Sequence, residues 1–178
     1  KTPVCDFGKK AEDFKLKSIE NKIISLNDVK GEKATLIMFI CNHCPYVKAI
    51  IRDLAKDCNE LKKDGINTVA IMSNDTKNYP EDSFDNMIKF AKTNNFGEIN
   101  YLIDETQEIA RKYGAVCTPD FFGYNKELKL QYRGRFRELK DLKPVSGGDS
   151  DLKIAMKMIS ETQAGPKEQI PSMGCNIK

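Results

Sequence analysis

The stretch Ala34-Thr35-Leu36-Ile37-Met38-Phe39-Ile40-Cys41-Asn42-His43-Cys44-Pro45 decides the fold. Its first seven residues are apolar except Thr35, as a central strand covered on both faces by helices must be. The period then changes. From Pro45 to Lys63, Val47, Ile50, Ile51, Leu54, Cys58 and Leu61 fall at helical spacing while Lys48, Arg52, Lys56 and Lys63 lie off that stripe. This predicts one amphipathic helix, ended by Gly65. Two cysteines therefore sit where a buried strand gives way to a helix, the edge at which open α/β sheets collect functional groups.

Outward from that unit, Phe14, Leu16 and Ile19 face Ile23, Ile24 and Leu26 across a polar corner, which reads as a hairpin. Downstream come a strand over residues 68–72, a helix with Phe84, Met87, Ile88 and Ala91 along one side, and a short strand over 101–103. Asp104 and Gln107 form a capping-box-like start for a helix through Tyr113, stopped by Gly114. Residues 121–124 and 128–133 have hairpin spacing and so form an antiparallel pair. A last helix over 151–161 turns Leu152, Ala155, Met156 and Ile159 inward. Beyond Gln163, Gly165, Pro166, Pro171 and Gly174 break all periodicity. The expected fold class is α/β: a central mixed β-sheet flanked by helices, with an N-terminal β-hairpin extension. One domain over 1–162 is followed by an extended C-terminal tail, 163–178.

The 178 residues suit one domain, and 40% apolar with 31% charged residues is an ordinary globular balance. A formal charge of +3, without a basic block, gives no reason to expect nucleic acid as partner. The longest apolar run, residues 34–40, is too short to cross a bilayer. Lys1 stands where a start methionine would, which is compatible with a removed leader. Six cysteines in a chain this long are too few for a disulfide-stapled fold, so their positions matter more than their number.

At the head of the helix, Cys41 is expected to feel the unpaired backbone N–H groups and the dipole, which favour a thiolate. Cys44 is placed to close a disulfide with it. Pro45 fits the first helical turn, where its missing N–H costs nothing. A structural zinc site needs four ligands, but the chain has no second CxxC and no histidine besides His43. Strand, CxxC and helix in this order point to redox chemistry. His43, between the two thiols, can stabilise the neighbouring thiolate and so make the disulfide more oxidising.

Gly8-Lys9-Lys10-Ala11-Glu12-Asp13-Phe14, residues 41–48, Asp104-Glu105-Thr106-Gln107, Cys117-Thr118-Pro119-Asp120-Phe121-Phe122 and Pro171-Ser172-Met173-Gly174-Cys175-Asn176-Ile177-Lys178 together resemble the thioredoxin-like superfamily. The likeness is closest to its AhpC/TSA redoxin branch, the peroxiredoxin-like proteins with a CxxC motif. It spans almost the whole chain, with Glu12 where proline is usual. The resemblance implies a thioredoxin-like fold, Cys41 as attacking thiol, Cys44 as resolving thiol, and Pro119 as the cis-proline facing them. Thr118, Pro119 and Pro45 would then bind substrate, with the Thr118 backbone free to pair with an extended partner strand. Thr35 stands where thioredoxins usually carry a buried acid. The same likeness sets Cys44 at the peroxidatic position of peroxiredoxins, but Cys41 replaces their threonine and Pro119 their arginine, two donors that a peroxide's developing charge needs.

The expected activity is therefore thiol–disulfide exchange with protein or small-thiol partners. A thiol peroxidase with an antioxidant role is the second reading, and a thioredoxin-fold copper-binding chaperone, which needs a distant histidine that is missing, is the third. Cys58 reads as core; Cys117, near the proline, is a candidate third thiol; the pairing of Cys5 and Cys175 is open. No glycine fingerprint for a dinucleotide is visible, so electrons would pass to or from a reductant or oxidant protein without a bound cofactor. The remaining expectations are a monomer or weak homodimer, in the cytoplasm, with no metal.

Overall fold

A computed structural model describes residues 7–178; Cys5 lies outside them. In chain order the elements are β1 (Lys15–Ser18), β2 (Ile23–Ser25), α1 (Leu26–Val29), β3 (Ala34–Phe39), α2 (Pro45–Lys48), α3 (Ile51–Lys62) and β4 (Ile66–Met72). Then follow α4 (Phe84–Thr93), β5 (Asn100–Ile103), α5 (Glu108–Tyr113), β6 (Cys117–Thr118), β7 (Asp120–Asn125) and β8 (Leu130–Tyr132). The chain continues through a small ribbon, β9 (Leu139–Lys140) and β10 (Lys143–Pro144), to α6 (Asp151–Thr162) and β11 (Cys175–Asn176).

Seven strands form one mixed sheet in the order β2-β1-β5-β4-β3-β7-β8. β3, β4 and β5 run parallel; β7, β8 and the N-terminal hairpin run antiparallel to their neighbours. The hairpin is not a separate flap, because Lys17 pairs with Ile103 and so extends the sheet at one edge. β3 is buried along its whole length and hydrogen-bonded on both sides, as its unbroken apolar run requires. Its side chains alternate: Leu36 and Met38 join Leu54, Leu61, Met156 and Ile159 on one face, while Ile37 and Phe39 join Val29, Ile109 and Tyr113 on the other.

Four local expectations need correction. Leu26 does not end the hairpin but opens α1, because Ser25 caps that turn in a capping box with Asp28. The helix after the CxxC is broken, since Ile50 N bonds to Val47 O in a tighter turn; the break turns both Ile50 and Ile51 into the interior. Ile88 is 39% exposed, on the rim of the apolar stripe of α4 and not in it. Gln107 has φ 64° and does not cap α5. The buried Asp104 carboxylate instead receives Ile109 N and Ala110 N, which frees the Gln107 amide to reach Ser73 O and Lys178 O.

The tail is extended but not loose. Arg135 N bonds to Ile170 O, the Gln169 side chain bridges Gln131 O and Arg133 N, and β11 pairs antiparallel with β6. The tail thus returns to the carboxyl edge of β3, where the two cysteines lie.

Candidate active site

Cys41 and Asn42 leave β3 directly, and Cys44 is the residue before α2, with Pro45 in its first turn. Loop residues 41–44 are held from below by Asn42. Its N–H donates to Asp82 Oδ1 at 2.7 Å, its side-chain amide donates to Glu81 O, and Tyr101 Oη donates to its Oδ1 at 2.8 Å. The Thr118-Pro119 bond is cis, and its loop comes over the thiols. Thr118 Oγ1 is 3.6 Å from Cys41 Sγ, and Thr118 O is 3.3 Å from Cys44 Sγ. The residues that sequence and resemblance marked, Cys41, His43, Cys44, Pro45, Thr118 and Pro119, are therefore brought to one place.

The tail closes over them. Cys175 pairs with Thr118 and Asn176 with Cys117, Ser172 Oγ donates to Pro119 O at 2.7 Å, and Ile177 N donates to Val116 O. The Thr118 backbone is thus not free for a partner strand, because the chain's own residues occupy it. For the same reason Cys41 is not an exposed thiol: it is 1% exposed and Cys44 0%.

The two thiols are close enough to titrate as a pair, so their proton steps belong to the couple. The hydrogen bond to Cys44, burial and the nearby Asp82 carboxylate all push the Cys41 thiol up. Hydrogen bonds from Cys41, from Thr118 and from Cys175 outweigh burial at Cys44 and hold its thiol down at about 4. Within the pair the direction is thus down for Cys44, next to α2, and up for Cys41. In the structure the Cys44 thiol donates to Thr118 O at 3.3 Å.

Asp82 was not legible as a site residue. It is fully buried in the turn Pro80–Asp82, accepts from Asn42 N and from Asn74 Nδ2, and lies 2.6 Å from His43 Nδ1, bent off the N–H direction. His43 stacks on Tyr79 with the rings 5° from parallel. A buried carboxylate therefore reaches the site although Thr35, in the usual place, only accepts from Gly31 N. The donor atoms of Cys41, His43 and Asp82 all lie within 4.8 Å of one another and are the described residues that could hold a metal ion. They are one ligand short of a structural zinc set, and a carboxylate is a poor ligand for the soft cuprous ion.

Cys117 is buried, bonds to Pro119 O and is pushed up to about 12 by burial; Cys58 is likewise core, also near 12. The third thiol in contact with the pair is Cys175. Beside Pro119, a groove of about 410 Å³ is lined by Tyr46, Ile50, Phe136, Leu142 and Met173.

The AhpC/TSA family profile matches residues 7–135. The fold of an uncharacterized conserved protein of Geobacillus kaustophilus is similar over 97% of this chain and 92% of that one, with 40% identity and a TM-score of 0.92. A hypothetical protein of Sinorhizobium meliloti matches with 36% identity and a TM-score of 0.91, over 99% and 96% of the two chains. A secreted disulfide oxidoreductase of Mycobacterium tuberculosis, 16% identical with a TM-score of 0.56 over 66% of this chain and 80% of that one, shares the fold. Comparison with curated proteins finds no match. The chain belongs to the AhpC/TSA family, a family of redox proteins on a thioredoxin-like fold.

Proposed function

We propose that this AhpC/TSA-family chain is a thiol–disulfide oxidoreductase whose working couple is Cys41 and Cys44. The observation that carries the reading is two neighbouring thiols at the end of the central strand that both meet the cis-proline loop, Cys41 Sγ 3.6 Å from Thr118 Oγ1 and Cys44 Sγ 3.3 Å from Thr118 O. In the reduced state Cys44, the member of the pair that is held lower, is the nucleophile, and Cys41 supplies the second thiol that closes the disulfide. His43, Thr118, Pro119 and Pro45 position the pair. The groove beside Pro119 offers apolar contact to a protein partner, and no membrane-spanning helix occurs among the described residues.

The acidic Cys44 thiolate also favours a second reading, a thiol peroxidase. Against it, the nearby Arg133 is spent on Asp120, its Nη2 2.8 Å from Oδ2. Each missing oxyanion donor costs about 3 kcal/mol at comparable sites. Insulin reduction and peroxide consumption, measured on wild type, Cys41→Ser and Cys44→Ser, separate the two. The oxidoreductase reading requires disulfide turnover lost in both variants and peroxide rates no faster than a free thiol. Fast peroxide oxidation kept in Cys41→Ser and lost in Cys44→Ser would make the chain a peroxidase.

A further inference from the structure

Three independent features set Cys175 apart from an ordinary terminal cysteine. By pairing with Thr118 it sits in the seat that an extended partner would take beside the cis-proline. Gly174 makes that approach possible: a Cβ there would stand 1.9 Å from Thr118 O and 2.5 Å from its carbonyl carbon, both rigid backbone atoms. Exposure is the third. Among the five described cysteines Cys175 alone is partly exposed, while it packs against the cluster that contains Cys41 and Cys44. The far end of the tail is tied as well, with Lys178 N on Asn74 Oδ1 and Lys178 O accepting from Asp75 N and Gln107 Nε2.

We propose that Cys175 is a third exchanging thiol, the relay through which outside dithiols and disulfides reach the buried Cys41–Cys44 pair. The relay rests on the exchange reading above and adds the route by which partners gain access. From the oxidised pair, the Cys175 sulfur attacks Cys44 Sγ; the Cys41–Cys44 bond breaks, a Cys44–Cys175 bond forms, and the expelled Cys41 sulfur takes the Cys175 proton. A partner thiolate then attacks Cys175 Sγ and expels Cys44 as its thiolate. The partner's second thiol displaces Cys175, which regains a proton as the partner disulfide leaves. Two electrons pass from partner to Cys41 and Cys44, and the reverse sequence reduces a partner disulfide.

Charge favours the step that starts from the oxidised pair. Burial, the hydrogen bond to Cys44 and the charge on Cys44 push the Cys175 thiol up while the pair is reduced. Once Cys44 is in a disulfide it bears no charge, and that restraint on Cys175 is lifted when it must attack.

The test is disulfide mapping by mass spectrometry, with insulin-reduction rates, on full-length Cys41→Ser, Cys175→Ser, Cys175→Ala and Gly174→Ala. Circular dichroism confirms that each is folded. The relay predicts a Cys44–Cys175 disulfide in mildly oxidised Cys41→Ser. Both Cys175 variants should still form the Cys41–Cys44 disulfide with diamide yet exchange with insulin at least tenfold more slowly. Gly174→Ala should be slow too, with its displaced Cys175 alkylated faster than in wild type. Exchange at or above the wild-type rate in the Cys175 variants, or no Cys44–Cys175 link in Cys41→Ser, would overturn the relay. A wild type without a Cys41–Cys44 disulfide, beside a Cys41→Ser variant that links Cys44 to Cys175, would instead overturn the role of Cys41 and keep the relay thiol.

Discussion

His43 stands between two groups of opposite demand, the Asp82 carboxylate and the Cys41 sulfur. Its imidazole N–H stabilises thiolate in the reduced pair more than it stabilises the disulfide, and so raises the reduction potential. His43→Ala is expected to lower it by at least about 30 mV, roughly 1.4 kcal/mol for two electrons, when equilibrated against glutathione. Asp82→Asn removes the carboxylate that disfavours charge on Cys41 and should shift the potential upward. The acidic thiol has its own signature. With the Cys44 thiol held down at about 4, the reduced protein at pH 7 should show one thiolate absorbance near 240 nm that disappears only toward that acid midpoint. In Cys41→Ala, which removes the Cys41 side-chain donor, the midpoint should move up; no thiolate signal at pH 7 in wild type would refute the assignment. Cys41, His43 and Cys44 were legible because they are adjacent in sequence and the strand–helix switch frames them. Asp82 was not, since nothing local connects a Pro-Glu-Asp turn to a loop forty residues earlier. Only the neighbouring β3 and β4, which bring the two loops to one sheet edge, make that connection.

At the scale of elements, long periodic segments were readable and their junctions were not. The apolar run of β3 and the inward stripe of α6 follow directly from spacing, and both are buried as the pattern requires. The break between α2 and α3, and the turn of the Gln107 amide away from the α5 cap to Ser73 O and Lys178 O, depend on individual hydrogen bonds that spacing does not encode. The β7–β8 hairpin carries a further unread feature, the buried pair of Asp120 and Arg133, with Arg133 also on Gly114 O and over the Phe122 ring at 4.3 Å. Burial raises the Asp120 carboxyl despite its partner. Arg133→Met should therefore leave an uncompensated buried acid and destabilise the fold by about 3–5 kcal/mol in urea unfolding, since breaking such a pair costs more than the pair contributes. A loss below 1 kcal/mol would show that Asp120 is neutralised without help.

For the whole molecule, the tail decides how the site meets solvent. Its course was beyond sequence reading: a two-residue strand has no period, and the Gly and Pro residues that mark an irregular segment do not say where it docks. The resulting layers predict an order of alkylation. Cys175 should react first, Cys41 and Cys44 only as the tail opens, and Cys58 and Cys117, both near about 12 through burial, only on global unfolding. Modification of Cys58 under native conditions at the rate of Cys175 would contradict that layering. The central claim, that Cys41 and Cys44 form the redox couple, is tested most directly by equilibrating the wild-type chain across glutathione redox buffers, trapping it with acid and an alkylating agent, and mapping the linked peptides. The account predicts a single two-electron transition whose fully oxidised product carries Cys41 bonded to Cys44. An oxidised product in which Cys41 remains a free thiol, at every poise at which Cys44 is oxidised, would contradict it.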